Sequence, residues 1–123
     1  MRIGIDIGGS KIAAGLVDMS GKVTARRKVL IGRVRRYPVV RDAILDLVDQ
    51  IRSKWSGHKE SIDRIGIACA GQIDCATGNI LFSPNLGWRN APLRRDVEKG
   101  CSIETFIEND VNAAIYGEWK FAL

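Results

Sequence analysis

Three β-strand patterns follow one another at the start of the chain, and this feature limits most strongly what the chain can fold into. Apolar residues alternate over residues 2–7, and an apolar pattern resumes from Lys11 to Asp18. A third strand is expected from about Lys22 to Ile31. Because Gly8-Gly9-Ser10 and Ser20-Gly21 supply turns between these segments, the pattern predicts three antiparallel strands joined by short connections.

Helix and strand patterns alternate in the rest of the chain. Apolar residues at helical spacing predict a first helix that begins near Pro38 and ends at Ser56-Gly57. A fourth strand from Ile62 to Ala70 is nearly all apolar, as expected of a strand that is buried on both faces. The later elements are a hairpin-like segment near Gly78–Leu81, a helix from Leu93 to Lys99 that ends at Gly100, a fifth strand from Ser102 to Ile107, and a last helix from Val111.

This order of elements predicts an α/β fold. Three meandering strands followed by strand–helix crossovers are typical of the ribonuclease-H-like (actin-like ATPase) domain, a mixed five-stranded sheet with helices on its faces. A doubly wound dinucleotide fold is not expected, since no GxGxxG follows the first strand. The last helix pattern runs to Leu123 without a glycine, proline or polar stop, so we expect the natural protein to continue.

Charge and cysteine usage exclude several function classes. The net charge of +5 is concentrated between residues 26 and 41, but no aromatic stacking pattern accompanies it, and we expect a solvated surface without a nucleic-acid partner. Three cysteines and one histidine without CxxC spacing predict no metal site. Apolar runs are too short for a membrane span and no secretory signal is evident, so we expect a cytoplasmic protein with no membrane partner.

The segment from Asp6 to Lys11 carries groups that suit a phosphate and a magnesium ion. Asp6 ends a strand and suits Mg²⁺ held through water, while Gly8 and Gly9 allow backbone N–H groups to approach a phosphate. Ser10 adds a hydroxyl and Lys11 a positive charge. The alternative is a tight hairpin that uses glycine for its turn angles, and the pattern alone leaves both interpretations open.

Three further segments have a functional and a structural interpretation. Asp110 at a helix N-terminus is kept ionised, as a general base must be, and Asn109 can bind a sugar hydroxyl; the alternative is a plain helix cap. Gly71 lets a substrate ring approach the backbone or is simply a turn glycine. Asn85 and Trp88 either line a cleft or belong to a folded loop that the buried side chain of Trp88 holds in place.

Considered together, these segments resemble the ROK family of sugar kinases and related repressors. The matching motifs are Ile3–Lys11, Ile12–Asp18, Gly66–Asp74, Ser83–Trp88, Glu108–Ala114 and Gly117-Glu118. The resemblance implies transfer of the γ-phosphoryl group of ATP to a sugar hydroxyl, with Mg²⁺ as cofactor. It implies Asp110 as catalytic base, phosphate and magnesium binding by Asp6, Gly8, Gly9, Ser10 and Lys11, and sugar binding by Asn109, Asp110, Gly71 and Asn85.

The resemblance also has departures and alternatives. Ser10 stands where threonine is usual and Ala70 where many members have proline. The family's second lobe is missing, so we expect residues 1–123 to be an N-terminal lobe with little or no activity alone, and a homodimer is one candidate assembly. A sugar-sensing regulator is the second hypothesis, although a strand begins at once after Met1 and Asp110 is retained. A non-catalytic sugar-binding module is the third.

Overall fold

The computed structural model describes residues 1–18, 20–31, 36–55, 62–74, 76–83 and 86–109, with the backbone alone at Asn109. The elements in this part of the chain are β1 (Arg2–Ile7), β2 (Lys11–Val17), β3 (Val23–Leu30), α1 (Tyr37–Trp55), β4 (Arg64–Cys69), β5 (Gln72–Asp74), β6 (Asn79–Ser83), β7 (Trp88–Ala91), α2 (Leu93–Cys101) and β8 (Glu104–Asn109).

A mixed sheet with the strand order β3-β2-β1-β4-β8 forms the centre of the fold. β1 pairs antiparallel with β2, and β2 pairs antiparallel with β3. β4 lies parallel to β1 on its other side, and β8 lies parallel to β4. The expected three-stranded meander followed by parallel crossovers is therefore confirmed.

One face of this sheet makes the core with α1 and α2. Alternate residues of the central strands point to that face, among them Ile3, Ile5, Ile65 and Ile67, and all of these are buried. The helical spacing predicted for α1 is confirmed, since the buried positions of this helix are Val40, Ile44, Leu47, Val48 and Ile51. α1 also packs on α2, so both helices lie against the same side of the sheet.

The expectation that β4 is buried on both faces is wrong. Its residues alternate, with Ile65, Ile67 and Cys69 buried, while Arg64 and Gly66 are exposed. Gly66 and Ala68 are apolar, so the sequence gives no polar signal for the face on which they lie. That face of β4 points away from α1 and α2. Gly66 pairs with Gly4, and Gly4 pairs with Gly15, so small residues form the floor of a trough of about 1200 Å³.

The part of the chain that follows β4 and precedes α2 forms a second, antiparallel sheet of strands β5, β6 and β7. The hairpin expected near Gly78–Leu81 is confirmed, because Gly78 lies in the connection between the antiparallel strands β5 and β6, and Asn79–Leu81 begin β6. The sequence does not predict β7.

The expected helix stop at Gly100 is wrong. α2 continues through Gly100 to Cys101, and Ser102 ends it with a left-handed φ of 60° and an N–H that donates to the Glu98 carbonyl oxygen. Gly100 instead makes room for α1, because a Cβ atom there would lie 2.7 Å from a methyl carbon of Leu45. This glycine therefore serves helix packing.

Candidate functional site

Three strands of the central sheet end in register at one edge. Ile7 of β1 pairs with Cys69 of β4, and Cys69 pairs with Asn109 of β8. Neighbouring strands in a sheet lie about 4.8 Å apart, so the segments that leave these three strands begin within about 10 Å of one another. The structure thus brings together the start of the Gly8–Lys11 turn, the Ala70-Gly71 turn and the backbone of Asn109.

The turn between β1 and β2 does not need glycine for its angles. The N–H of Gly8 donates to the Lys11 carbonyl oxygen at 2.9 Å, which closes the hairpin. Neither Gly8 nor Gly9 has a positive φ. A Cβ atom on Gly8 would lie 3.2 Å from the Lys11 carbonyl oxygen, while one on Gly9 would meet nothing within 4 Å. Gly9 therefore leaves open space beside an exposed turn, and backbone conformation does not explain the glycine.

Asp6 lies just before this turn, with its side chain exposed on the sheet face that α1 and α2 do not cover. Its register partner on β4 is Ala68, whose partner on β8 is Glu108. Glu108 is exposed as well, so two carboxylates flank a small residue on the same face. Sequence reasoning gave Glu108 no role; the two-residue alternation along β8 was the signal that puts it on the face of Asp6.

Gly71 occupies a position that only glycine fits well. Its φ is +121°, and a Cβ atom would collide with the Phe82 carbonyl oxygen and lie 3.1 Å from Cβ of Ser83. The segment after β4 therefore presses against the end of β6. This contact is compatible with both sequence interpretations of Gly71, the turn glycine and the glycine that lets a substrate ring approach the backbone. In either case the close packing fixes the start of β5, which follows Gly71.

Backbone hydrogen bonds and strand pairing join the end of β6 to the residues at the start of β7. Ser83 and Trp88 are strand partners, and the Ser83 carbonyl oxygen accepts the N–H groups of Leu86 at 3.2 Å and Gly87 at 2.7 Å. The Ser83 side chain has 0% exposure, and its hydroxyl has no hydrogen-bond partner in the part of the chain that the structure describes. Trp88 is 4% exposed, which supports the interpretation of a loop stapled by a buried tryptophan.

Tyr37, the first residue of α1, packs its ring against the ring of Trp88. The two rings meet edge to face, with centroids 5.4 Å apart and an interplanar angle of 81°. The Tyr37 hydroxyl donates to Oδ2 of Asp96 in the first turn of α2 at 2.5 Å. Burial, followed by this bond to the Asp96 carboxylate, raises the pKa of Tyr37. The phenol therefore stays protonated and remains a donor.

Several sequence-derived site residues fall outside the described part of the chain. Asn85 and Asp110 do so entirely, and the side chain of Asn109 does as well. The proposed roles of these residues are therefore untested by the geometry.

Two cysteines that the structure does describe, Cys69 and Cys101, are buried, and burial raises the pKa of the Cys101 thiol.

The described residues include no group of three or more histidine, cysteine, aspartate or glutamate side chains arranged to hold a metal ion. Within the same part of the chain, no helix is long and apolar enough to cross a membrane. The basic side chains of β3 lie along an edge strand, where Arg26 and Lys28 are exposed.

Comparison with known proteins identifies the family. The model of the ROK family matches residues 2–123, and the chain belongs to this family. A solved ROK family glucokinase from Streptomyces griseus, in complex with glucose and AMPPNP, is 38% identical with a TM-score of 0.87, covering 99% of this chain and 37% of that one. The expected actin-like ATPase fold with a mixed five-stranded sheet is thereby confirmed.

Curated relatives include both enzymes and regulators. The glucokinase of Streptomyces coelicolor is 38% identical over 122 residues, which are 98% of this chain and 36% of that protein. The xylose repressor of Bacillus spizizenii is 29% identical over 119 residues, 97% of this chain and 30% of the repressor. The chain thus spans about a third of the length of the relatives that it matches.

Replacing Gly71 with alanine is expected to lower the free energy of unfolding by about 2 kcal/mol or more. The new methyl group collides with the Phe82 carbonyl, and the left-handed backbone disfavours any side chain. Chemical denaturation followed by circular dichroism measures the change. Gly9→Ala is the matched control, since its methyl group enters open space and should change stability by less than about 0.5 kcal/mol. Equal losses in the two variants would contradict this account of Gly71.

Replacing Ser83 with alanine is expected to leave the free energy of unfolding unchanged or to raise it. The buried hydroxyl forms no hydrogen bond within the described residues, so its removal costs only a few contacts. Thr105→Val is the matched control, because the Thr105 hydroxyl is equally buried but donates to the Ile103 carbonyl oxygen at 3.0 Å. It should lose about 1 kcal/mol. A loss as large for Ser83→Ala would mean that the hydroxyl is bonded in solution.

Proposed function

We propose that this chain is the N-terminal lobe of an ATP-dependent sugar kinase that phosphorylates a hexose or N-acetylhexosamine. The proposal assigns the turn after β1 to the phosphates of ATP and the segments after β4, β6 and β8 to the sugar. It rests on family membership, on the convergence of the segments after β1, β4 and β8 at one edge of the sheet, and on the close approach of Gly71 to the end of β6. Ligands of open α/β sheets bind at the carboxyl ends of the strands, which is the same edge.

The open space beside Gly9 is the observation that carries the phosphate assignment. A hairpin that needed glycine for its angles would show a positive φ, and neither glycine of this turn does. The missing side chain at Gly9 instead leaves the backbone accessible to a bulky group. Ser10 and Lys11 are exposed next to it and offer a hydroxyl and a positive charge to phosphate oxygens.

The proposed magnesium position uses oxygen ligands only. Asp6 is exposed at the end of β1, and the exposed Glu108 lies two strands away on the same face. This arrangement suits a hydrated Mg²⁺, which keeps most of its water and accepts one or two carboxylates. The ion, when bound, neutralises negative charge on the phosphate oxygens. The role of Asp6 is to orient that hydrated ion next to the Gly8–Lys11 turn.

The proposed sugar site lies beside the end of β8. Asn109 would bind a sugar hydroxyl through its amide, and Asp110 would accept the hydroxyl proton as the phosphoryl group is transferred. Gly71 and the turn that contains Asn85 would form the wall of this site. A kinase of this type needs a second lobe that closes over the substrates, so residues 1–123 alone are expected to have little or no activity.

A sugar-sensing regulator is the second candidate function. The 29% identity to the xylose repressor of Bacillus spizizenii supports it, because this likeness extends over 97% of the chain. Such a protein would bind a sugar at the same strand ends without phosphorylating it. The two candidates therefore differ in phosphoryl transfer, and an assay of ADP release separates them.

Replacing Asp110 with asparagine in the full-length protein that carries this chain is expected to lower kcat for sugar phosphorylation by at least about a hundredfold, because the general base is lost. A coupled ADP-release assay with a panel of hexoses and N-acetylhexosamines measures the rate. Sugar binding, measured by calorimetry, should persist, since asparagine keeps the shape of the side chain.

The control is Asp63→Asn, an exposed carboxylate before β4, at the opposite end of the sheet from the proposed site. Its turnover should match that of the unaltered protein. Sugar binding without ADP release in the unaltered protein would favour the regulator, and full activity of the Asp110 variant would remove Asp110 from the mechanism.

A further inference from the structure

We propose that Gln72, the first residue of β5, binds one hydroxyl group of the sugar and thereby helps to select it. The inference rests on the proposed function, which puts the segment after β4 beside the sugar. It adds a residue to which sequence reasoning gave no role. Gln72, its neighbour Gly71 and its strand partner Phe82 all lie in the described part of the chain.

The backbone at Gln72 is fixed by its neighbours. Gly71 precedes it with a φ of +121°, in a space so narrow that a Cβ atom would collide with the Phe82 carbonyl oxygen. Gln72 itself pairs with Phe82 of β6. Because consecutive Cα atoms are about 3.8 Å apart, a sugar that lies against the backbone of Gly71 is within reach of the Gln72 side chain.

The amide of Gln72 is available to a ligand. The side chain is exposed, and it forms no hydrogen bond within the described residues. Asp74, the other polar residue of β5, is already bonded, since its Oδ1 accepts the N–H groups of Ala76 at 3.0 Å and Thr77 at 3.4 Å. Ile73, between them, packs against the core. A carboxamide both donates and accepts hydrogen bonds, so a sugar hydroxyl can pair with it in either direction.

Gln72 lies at one end of an exposed row of side chains across the second sheet. Phe82 pairs with Gln72 on one side and with Arg89 of β7 on the other. The Arg89 guanidinium carbon lies 5.0 Å from the centroid of the Phe82 ring, a cation–π contact that holds the ring in place. Opposite residues of neighbouring strands have Cβ atoms about 5 Å apart, so the ring shields the amide from water on that side. A hydrogen bond to the sugar is stronger where water is excluded.

Sugars that lack a single hydroxyl test this contact directly. Calorimetry gives Kd for the best-binding sugar of the panel, glucose or an N-acetylhexosamine, and for its deoxy analogues. The full-length protein is compared with its Gln72→Leu variant, whose side chain is similar in size but forms no hydrogen bond. We expect Kd and KM for the sugar to rise about fivefold to tenfold in the variant, with kcat changed less than about twofold. One deoxy analogue should bind both proteins equally well, because it lacks the hydroxyl that Gln72 binds.

The matched control is Gln50→Leu. Gln50 is the other glutamine of the chain, is exposed on α1, and donates to Oδ2 of Asp46 in the same helix at 2.8 Å. This variant should keep the Kd of the unaltered protein for the sugar and for every analogue. A merely structural role of Gln72 would weaken the sugar and all of its analogues alike, so that no single hydroxyl would stand out.

The outcomes separate this inference from the proposed function. One hydroxyl whose removal cancels the effect of Gln72→Leu supports the contact. The same pattern without ADP release in the unaltered protein still supports the contact, but favours the regulator over the kinase. Sugar phosphorylation with an equal loss for all analogues, or with no loss, overturns the contact and leaves the proposed function standing. Absence of sugar binding in the unaltered protein overturns both.

Discussion

The parallel, in-register pairing of β1, β4 and β8 is the constraint on which the rest of the structure depends. This pairing aligns Ile7, Cys69 and Asn109 in one row, so three connections leave the sheet at the same edge. Parallel strands need crossover connections, and α1 and the segment from β5 to α2 supply them. The buried residues of these helices hold the strands in place, and every proposed contact to a phosphate or a sugar depends on that row.

Close backbone packing fixes the segments that leave this edge. Gly71 lies so near the end of β6 that a side chain there would collide with the Phe82 carbonyl oxygen. Trp88, the first residue of β7, is buried in the core. Tyr37, in α1, contacts the ring of Trp88 and donates a hydrogen bond to Asp96 of α2, so it connects Trp88 to both helices. Gly71, Ser83 and Trp88 are therefore already packed in place before a substrate binds, which would lower the entropy cost of binding at the proposed site.

Sequence reasoning predicted the strands and helices from their periodicity, but it could not predict what single residues pack against. The alternation of isoleucines defines β1, and the helical spacing in α1 selects its five buried positions. β4 was misread because Gly66 and Ala68 are apolar in composition yet lie on the face away from the helices. Sequence periodicity also does not show that Gly100 packs against Leu45. Nor does it show that Tyr37 bonds to Asp96, which lies 59 positions later. Sequence reasoning named Asp6, Gly71 and Asn109 as candidate site residues, whereas the strand pairing was needed to show that their segments leave the sheet at a common edge.

Hydrogen exchange of the full-length protein with and without glucose is the most direct test of the claim that the carboxyl edge of the sheet binds the sugar. Amides at Gly71, Leu86, Gly87 and Asn109 should exchange more slowly when glucose is bound. Amides at the opposite edge, in Arg2, Arg64 and Glu104, should not change. Protection confined to the opposite edge, or no protection at the carboxyl edge with the site saturated, would contradict the account.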